Sequence, residues 1–431
     1  MATNQTSASS REERARALHA TLPWLGESQT ISPIVGGLEE ASSRVARLDT
    51  TDYAAHRNNV DGPVTRLSPY IRHGILSLVA VRDVVSSIAD ENDRYRLMQQ
   101  LAWRDYFRRV QAAIGPQIWD DLESYKTGYG SDHYAVALPR DIVEASTGID
   151  YVDTFVRELY ATGWLHNHAR MWLASYVCHA RAIRWQTGAR WFLRHLLDGD
   201  EASNNLSWQW VASTFSQKPY IFNRDNVVRF SGDKFPRHAA SDPLDVSYET
   251  LKARFFRETK SEVQTFANAL REVQESIFRV VPNAGKSAKK VAWVHVDALR
   301  SAHPAYAAHL PIFVWDPALL EDWSVKRALF VDETLDNFPT LTRRHGDCVR
   351  EVLDFARANG ASRVVVPATS NSQVNAHIAR LRESIAVDCV ADAPFVTLEG
   401  PVDLRRFSRY WPRVEEALGL TRGGSRGSAP H

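Results

Sequence analysis

The chain has 431 residues, too many for one ordinary hydrophobic core, so its length predicts two or three domains. Its residues are 44% hydrophobic and 24% charged, with a net charge of +1, which excludes wholesale electrostatic binding of nucleic acid but leaves local basic patches open. The start of the sequence is not an apolar signal segment, and no run is long and apolar enough for a bilayer. We therefore expect a cytoplasmic protein with no membrane partner.

The cysteines bear on metal and redox chemistry. Cys178, Cys348 and Cys389 lie far apart and form no CxxC pair. A disulfide framework or a cysteine-bound metal cluster is therefore not expected, and we predict no metal site.

The first part of the chain has a helical pattern. Residues 1–35 are polar and are predicted to form a flexible N-terminal segment. Residues 36–280 carry apolar side chains at three- and four-residue spacing, as in "LMQQLAWRDYFRRVQAAI" at 97–114. This spacing predicts an all-helical domain.

The pattern changes after a polar, basic linker predicted at 281–290. Over residues 291–420, short β-branched runs such as "VAWVHV", "PIFVW" and "RVVVP" alternate with helical stretches, which predicts a parallel α/β layer. The segment 421–431 is predicted to be a disordered tail. The predicted fold class is therefore multidomain, with an all-helical domain followed by a Rossmann-like parallel α/β domain.

One stretch, "DGDEASNNLSWQW" at 198–210, combines carboxylates, amides and indoles within thirteen residues. Buried amides and carboxylates cost free energy unless they are hydrogen-bonded, and a ligand with many donors and acceptors would satisfy them together. The surrounding residues 160–240 hold an excess of Lys and Arg interleaved with aromatic residues. That combination is typical of surfaces that bind single-stranded or flipped nucleotides. A solvated acidic loop and a large aromatic core are the alternatives.

Four motifs in matching order resemble the photolyase/cryptochrome family. The stretch at 198–210 is similar to the family's flavin-binding signature. It is joined by "TRLSPYIRHGILS" (65–77), "QQLAWRDYFRR" (99–109) and "TGIDYVDTFVRELYATGWLHNHARM" (147–171). The resemblance implies a helical domain that holds FAD.

The family resemblance also implies which residues contact the cofactor. Those implied for the pyrophosphate and ribityl region are Tyr53, Thr65, Arg66, Leu67 and Ser68; a plain helix N-cap is the alternative reading of "TRLSP". Those implied around the flavin are Gln100, Arg104, Asn167, Arg170, Asp198, Asp200, Asn204 and Asn205. Asp198 is expected to pair with Arg170, because two buried charges are tolerated as a pair and not alone.

Asn204 takes the position that faces the reactive flavin nitrogen in the family. A neutral amide tolerates a fully reduced, anionic flavin, whereas a carboxylate would repel it. The resemblance therefore favours a repair enzyme over a plant-type photosensor.

The lesion-binding residues follow from the same motifs. Trp103 and Trp210 match the tryptophans that flank a flipped pyrimidine dimer, where stacking is worth about 1–3 kcal/mol per base; two core indoles are the alternative. Asn167 and Met171 stand where enzymes acting on (6–4) lesions have histidines, so a cyclobutane dimer is expected. Gln100 departs from the usual glutamate and leaves repair activity open.

Light-driven reduction of the flavin uses a chain of aromatic residues in this family. Trp208 and Trp185 match the inner two members, and Tyr134 lies near the place of the missing distal tryptophan. Trp191 and Trp172 offer other exits, and core packing is the alternative for each of these residues.

The family's α/β antenna domain normally precedes the helical domain, but here its likeness lies at 291–309, 311–320 and 343–367. The sequence is therefore predicted to be circularly permuted. The sequence leaves three roles open for this domain: it holds a second chromophore that the sequence does not identify, it binds no chromophore and only shields the FAD pocket, or it is a generic nucleotide-binding domain.

Three functions remain open from the sequence. The first is blue-light repair of cyclobutane pyrimidine dimers in DNA by an FAD-dependent carbon–carbon lyase, with single-stranded DNA included because extrusion of the dimer then costs less. The second is a cryptochrome-like photoreceptor that signals to a partner protein. The third is a light-independent flavoprotein or nucleic-acid binder.

Overall fold

The computed structural model describes residues 10–26, 30–258, 267–274, 289–320 and 323–421. Most of the predicted linker at 281–290 and of the predicted tail at 421–431 therefore lies outside the described residues.

The first part of the described chain is helical. Its helices are α1 (Arg11–Thr21), α2 (Leu38–Ala46), α3 (Tyr53–His56), α4 (Ser68–Arg72), α5 (Leu78–Ser86), α6 (Glu91–Ile114), α7 (Arg140–Val143), α8 (Asp150–Thr162), α9 (Asn167–Ser175), α10 (Trp185–His195), α11 (Glu201–Ala212), α12 (Arg224–Ser231) and α13 (Tyr248–Phe255). A 3₁₀ segment, Gly115–Trp119, follows α6, and a π-helical turn, Tyr176–Ala180, continues α9.

The second part is a five-stranded sheet with helices on it. The strands are β1 (Lys290–Val294), β2 (Leu310–Trp315), β3 (Thr342–His345), β4 (Arg363–Pro367) and β5 (Ala386–Val390). All neighbouring strands are parallel and the order is β3-β2-β1-β4-β5. The helices are α14 (Pro317–Leu320), α15 (Val325–Leu335), α16 (Cys348–Ala358), α17 (Ser372–Arg382) and α18 (Phe407–Leu418). The predicted fold class, helical then Rossmann-like α/β, is confirmed.

The strands form where the sequence has short β-branched runs, because both faces of the sheet are covered. Val291 and Trp293 point into one apolar cluster with α16 and α17, while Ala292 and Val294 point into another with α15. A parallel sheet buried on both sides reads as a continuous apolar run, which is the pattern seen in the sequence.

Helix α1 corrects the predicted flexible N-terminal segment over Arg11–Thr21, while residues 1–9 and 27–29 lie outside the described residues. Ser10 and Glu13 form a capping box at its start, and its side chains Ala15 and Leu18 are buried against α15 of the α/β part. The guanidinium of Arg11 pairs with Glu333, which fixes the helix to that surface. Part of the polar composition that suggested flexibility thus serves as ion pairs to α15, from Arg11 and from Arg14, which pairs with Asp332 and Asp336.

Helix α18 follows the sheet in the chain, but it packs on the helical part of the molecule. It contacts α6, and its buried residues Phe407, Tyr410, Trp411 and Val414 join the apolar cluster of the helical part. The Trp411 indole donates a hydrogen bond of 3.0 Å to the Tyr95 hydroxyl. The predicted α/β domain at 291–420 therefore places its last helix in the core of the helical part.

The described residues contain neither a membrane-spanning helix nor a metal-binding cluster. Within these ranges, none of the helices is long and apolar enough to cross a membrane. The same residues contain no group of three His, Cys, Asp or Glu side chains arranged to hold a metal ion.

Candidate cofactor-binding site

A cavity of about 300 Å³ lies among α4, α6, α9, α10 and α11. It brings together side chains from all the helical motifs that the sequence singled out. The predicted residues that line it are Tyr53, Thr65, Arg66, Ser68, Gln100, Trp103, Arg104, Asn167, Arg170, Met171, Asp198, Asn204 and Trp208. Segments as distant as 53–68 and 198–208 therefore form one site.

A bidentate ion pair closes one side of the cavity. Arg170 donates from Nη1 and Nη2 to the two carboxylate oxygens of Asp198, at 3.0 and 2.8 Å. Its Nε donates to the Leu165 carbonyl at 2.9 Å, so the guanidinium is held from two sides. The pairing predicted from the sequence is present, and it links the start of α9 to the loop before α11.

A second ion pair stands at the start of α11. Asp200 is the N-cap of this helix: its carboxylate accepts from Ser203 N–H at 2.8 Å and from Arg104 Nη2 at 2.8 Å. Burial by itself raises the pKa of Asp200, but the guanidinium groups of Arg104, Arg72 and Arg108 outweigh it and hold the pKa below its usual value. The carboxylate is therefore ionised at neutral pH and fixes Arg104 at the cavity wall.

The stretch before α4 supplies hydroxyl and cationic groups. Arg66 adopts a left-handed φ of 51°, and its guanidinium lies 4.7 Å from the centre of the Trp164 ring. The Trp164 indole donates to Ser68 Oγ at 3.2 Å. A guanidinium and hydroxyl groups beside one another suit an anionic ligand such as a pyrophosphate.

Asn204 is buried and presents one open polar group. Its Nδ2 donates to the Ala189 carbonyl at 3.1 Å and to Asn205 Oδ1 at 3.0 Å. Both N–H groups are thereby used, and the carbonyl oxygen is the group left for a ligand. The site thus offers a neutral acceptor.

Several buried polar atoms around the cavity test whether a polar cofactor fits. Arg104 Nε, Ser203 Oγ and Trp208 Nε1 have no hydrogen-bond partner among the described residues, and all three residues line the cavity. Buried donors without partners are costly, so their clustering here fits a ligand rich in acceptors. The residues present are therefore those that a dinucleotide with a flavin ring needs.

The exposed or partly exposed lining of the cavity, which we call its mouth, includes four uncharged side chains beside the exposed Arg66. Gln100, Trp103, Asn167 and Met171 line it, and Asn167 Nδ2 lies 3.3 Å from the Met171 sulfur. One face of Trp103 is covered by the ring of Phe407 from α18.

Some predicted site residues do not line this cavity. Leu67 and Asn205 are buried behind it, and Asp200 reaches it only through Arg104. Trp210 is 38% exposed and packs on Tyr220 with ring centres 5.6 Å apart. The two tryptophans predicted to flank a lesion are therefore not both at the cavity wall.

Of the residues predicted for electron transfer, only one lines the cavity. Trp208 lines the cavity, Trp185 lies behind it, and Tyr134 stacks on Tyr125 at 4.5 Å with its hydroxyl 2.7 Å from Thr127. The alternative exits Trp191 and Trp172 lie in the same apolar cluster as Trp185, Trp208 and Tyr134. Trp191 is linked to Trp208 through Phe192, with ring centres 5.3 and 5.0 Å apart.

The cavity also contains residues that the sequence analysis did not assign. They include Phe107, Trp164, His166, Phe192 and Ser203. His166 is neutral: its Nδ1 accepts from His168 N–H at 3.1 Å, and burial lowers its pKa to about 4. Trp164 and His166 lie inside the motif at 147–171, so the motif match was the available signal.

A second crevice of about 270 Å³ lies between the sheet and the helical part. It is bordered by Asp297 after β1 and by residues 369–371 after β4, together with Arg108 and Asp200 from the helical side. The Arg104–Asp200 pair stands between this crevice and the cavity.

Comparison with known proteins gives a consistent result. Residues 97–238 match the family described as the FAD binding domain of DNA photolyase. A deoxyribodipyrimidine photo-lyase from Streptomyces griseus is 33% identical over 195 residues, covering 43% of this chain and 41% of that protein. The enzyme of the same name from Vibrio cholerae is 33% identical over 180 residues, covering 39% and 37%. The chain thus spans about two fifths of the length of these relatives.

A cryptochrome structure from Synechocystis is 24% identical, covers 47% of this chain and 44% of its own, and has a TM-score of 0.41. The family match confirms the resemblance inferred from the motifs, and with it FAD as the cofactor of the helical part.

Proposed function

Because this chain carries the FAD-binding domain of the photolyase/cryptochrome family, we propose that it is a blue-light-driven enzyme that repairs cyclobutane pyrimidine dimers in DNA. Bound reduced FAD would supply the light-excited electron that splits the dimer. Its substrate would be a dimer flipped out of single- or double-stranded DNA.

In this proposal the residues of the chain bind and orient the cofactor and the pyrimidine dimer. Arg66, Ser68 and Thr65 would hold the pyrophosphate, while Arg170 and Arg104, each fixed by an aspartate, would border the flavin. Gln100 and Asn167 would hydrogen-bond the pyrimidine edges at the mouth, because amides can both donate and accept.

The observation that carries this proposal is the state of Asn204. It is a buried, neutral side chain with a single open acceptor at the cavity. A carboxylate there would repel an anionic reduced cofactor, whereas the amide does not. Repair depends on that reduced form.

The test is direct repair by the purified holoprotein. It is reduced chemically, mixed with dimer-containing oligothymidine, single- or double-stranded, and illuminated with blue light while thymine absorbance is followed. Return of the absorbance in light, and not in a dark control, is the expected result. A protein that binds no FAD would overturn the proposal, and so would a reduced holoprotein that restores no thymine.

The second candidate is a cryptochrome-like photoreceptor that signals to a partner without repair. It is favoured by the exposed Trp210, which lies away from the cavity, and by Phe407, which covers one face of Trp103. Light-driven reduction of bound FAD without thymine recovery would support this candidate.

We also propose that the α/β part, predicted at residues 291–420, is an antenna-type domain placed after the catalytic part by circular permutation. In support, its sheet is parallel and follows the helical part in the chain. The test is a rearranged chain with residues 289–421 moved before residue 30, joined by a flexible linker. We expect it to bind FAD as the parent does.

The crevice is the site that we propose for a second chromophore. The order β3-β2-β1-β4-β5 puts a topological switch point between β1 and β4, where ligands of open parallel sheets bind. A pigment other than FAD released from purified protein, and absent after Thr369→Trp, would support this site. Release of FAD alone would contradict it.

A further inference from the structure

Trp119 ends the 3₁₀ segment Gly115–Trp119 and lies between the aromatic core and solvent. Its ring stacks on that of Trp185, with centres 6.3 Å apart and 9° between the planes. Trp119 is partly exposed, whereas Trp185 is fully buried. Among the described residues, no ring contact is present between Trp185 and Tyr134.

Trp208 and Trp185 belong to two helices in contact, α11 and α10. The six-membered ring of Trp208 lies against Gly188, one helical turn after Trp185 on the same side of α10. Trp208 is thus joined to Trp185 by the packing of α11 on α10, and Trp185 to Trp119 by ring stacking, so the three indoles follow one another from the cavity wall to the surface.

The hydrogen bonds of these indoles determine on which ring a positive charge is most stable. Trp208 Nε1 has no carboxylate acceptor among the described residues, whereas Trp185 Nε1 donates to Asp121 at 2.6 Å and Trp119 Nε1 donates to Glu201 at 3.2 Å. A carboxylate that accepts from an indole stabilises positive charge on the ring. Positive charge is therefore favoured on Trp185 over Trp208, and solvent adds to its stabilisation on Trp119.

One group acts against the stabilisation of positive charge on Trp119. The Arg190 guanidinium lies 4.6 Å from the centre of the Trp119 ring and disfavours positive charge there. Arg190 is exposed, so water and salt screen its charge, while Glu201 is partly buried and bonded to the indole itself.

Tyr134, the distal member expected from the sequence, lacks a group that could accept its phenolic proton when the tyrosine is oxidised. Burial raises its pKa to about 12, and its hydroxyl contacts only the hydroxyl of Thr127 at 2.7 Å. A threonine hydroxyl does not take up the phenolic proton at neutral pH.

We propose that Trp119 is the terminal electron donor that recharges the cofactor site, an inference that rests on the proposed function. In light, Trp208 gives one electron to the cofactor. One electron then passes from Trp185 to Trp208, and one passes from Trp119 to Trp185. A thiol in solution returns one electron to Trp119. The cofactor thus gains the one electron that the thiol loses.

The test compares Trp119→Phe with Tyr134→Phe in the holoprotein with a thiol present. After a laser flash, the tryptophan radical is followed by its absorption, and flavin reduction is followed under steady light. Trp119→Phe is expected to shorten the radical lifetime and to lower the reduction rate by at least about tenfold, while Tyr134→Phe keeps both. Unchanged kinetics in Trp119→Phe, or a loss in Tyr134→Phe, would overturn the proposal.

Glu201→Gln gives a second, independent measurement if Trp119→Phe folds poorly. It removes the charge and keeps a group that can accept from the indole, so the radical should decay several-fold faster; an unchanged decay would contradict the proposed stabilisation. Repair by chemically reduced Trp119→Phe should equal that of the parent, because no recharging is then needed. Failure of that repair in the parent as well would concern the proposed function and not Trp119.

Discussion

Trp103 of α6 and Phe407 of α18 are stacked face to face, with ring centres 3.7 Å apart and 11° between their planes. More than 300 residues of chain separate the two rings. The orientation of an indole at the cavity mouth is thus set by the far end of the chain.

Phe407→Ala should loosen Trp103 and weaken dimer binding while FAD stays bound. The free energy of unfolding should fall by about 3 kcal/mol, because a large buried ring is removed from an apolar cluster. Binding of dimer-containing oligonucleotide is measured by fluorescence anisotropy. Phe395→Ala removes a ring from the same cluster and serves as the control, with similar instability and normal DNA binding; equal binding in both variants would contradict the role of Phe407.

Gly188→Ala should disturb the chain of indoles at its inner end. A Cβ atom there would stand 2.2 Å from Trp208 Cη2, so the indole must move. We expect a loss of about 1–3 kcal/mol in stability, typical of overpacking, and slower light-driven flavin reduction. In a Trp208→Leu background the same substitution should cost much less stability; an equal cost in both backgrounds would exclude this contact as the cause.

Asp198→Asn should lower the affinity for FAD by removing the anchor of Arg170. The Asp198 side chain is 3% exposed and that of Arg170 is 25% exposed, so a loss of about 1–3 kcal/mol in unfolding free energy is expected. Flavin fluorescence gives the dissociation constant. Glu144→Gln breaks the Arg140–Glu144 pair, whose side chains are 88% and 50% exposed, and should change neither quantity.

Stability should fall as the pH drops from about 6.5 towards 4. Burial lowers the pKa of His166, His168 and His179 to about 4, whereas an unfolded histidine titrates near 6.5. Between these values the unfolded chain binds more protons, so stability is complete above pH 6.5 and is lost as pH falls. Urea unfolding at pH 7 and pH 5 should differ by about 1–3 kcal/mol for each histidine.

His179→Gln should reduce this pH dependence, and substitution of His238, whose side chain is 82% exposed, should leave it as it is. A flat stability profile between pH 7 and pH 5 would show that the buried histidines are not responsible.

Local patterns were enough to predict much of the molecule. The apolar period gave the helices around the cavity, β-branched runs gave the parallel strands, and the motif at 198–210 placed Asp198 opposite Arg170. Each of these features is determined by a few neighbouring residues or by a motif.

Contacts between distant segments escaped prediction. The docking of α1 on α15 and of α18 on α6 depends on matching surfaces hundreds of residues apart, which the sequence of neither helix reveals by itself. Trp119 was visible as a tryptophan, but its stacking on Trp185 depends on how the 3₁₀ segment meets α10.

The exchange of terminal helices has a mechanical consequence. Helix α1 precedes the helical part but packs on α15 of the α/β part, and α18 follows the sheet but packs on α6 of the helical part. Each part therefore binds a terminal helix contributed by the other end of the chain. A peptide bond cut between residues 275 and 288 would then leave two fragments that stay associated through both ends.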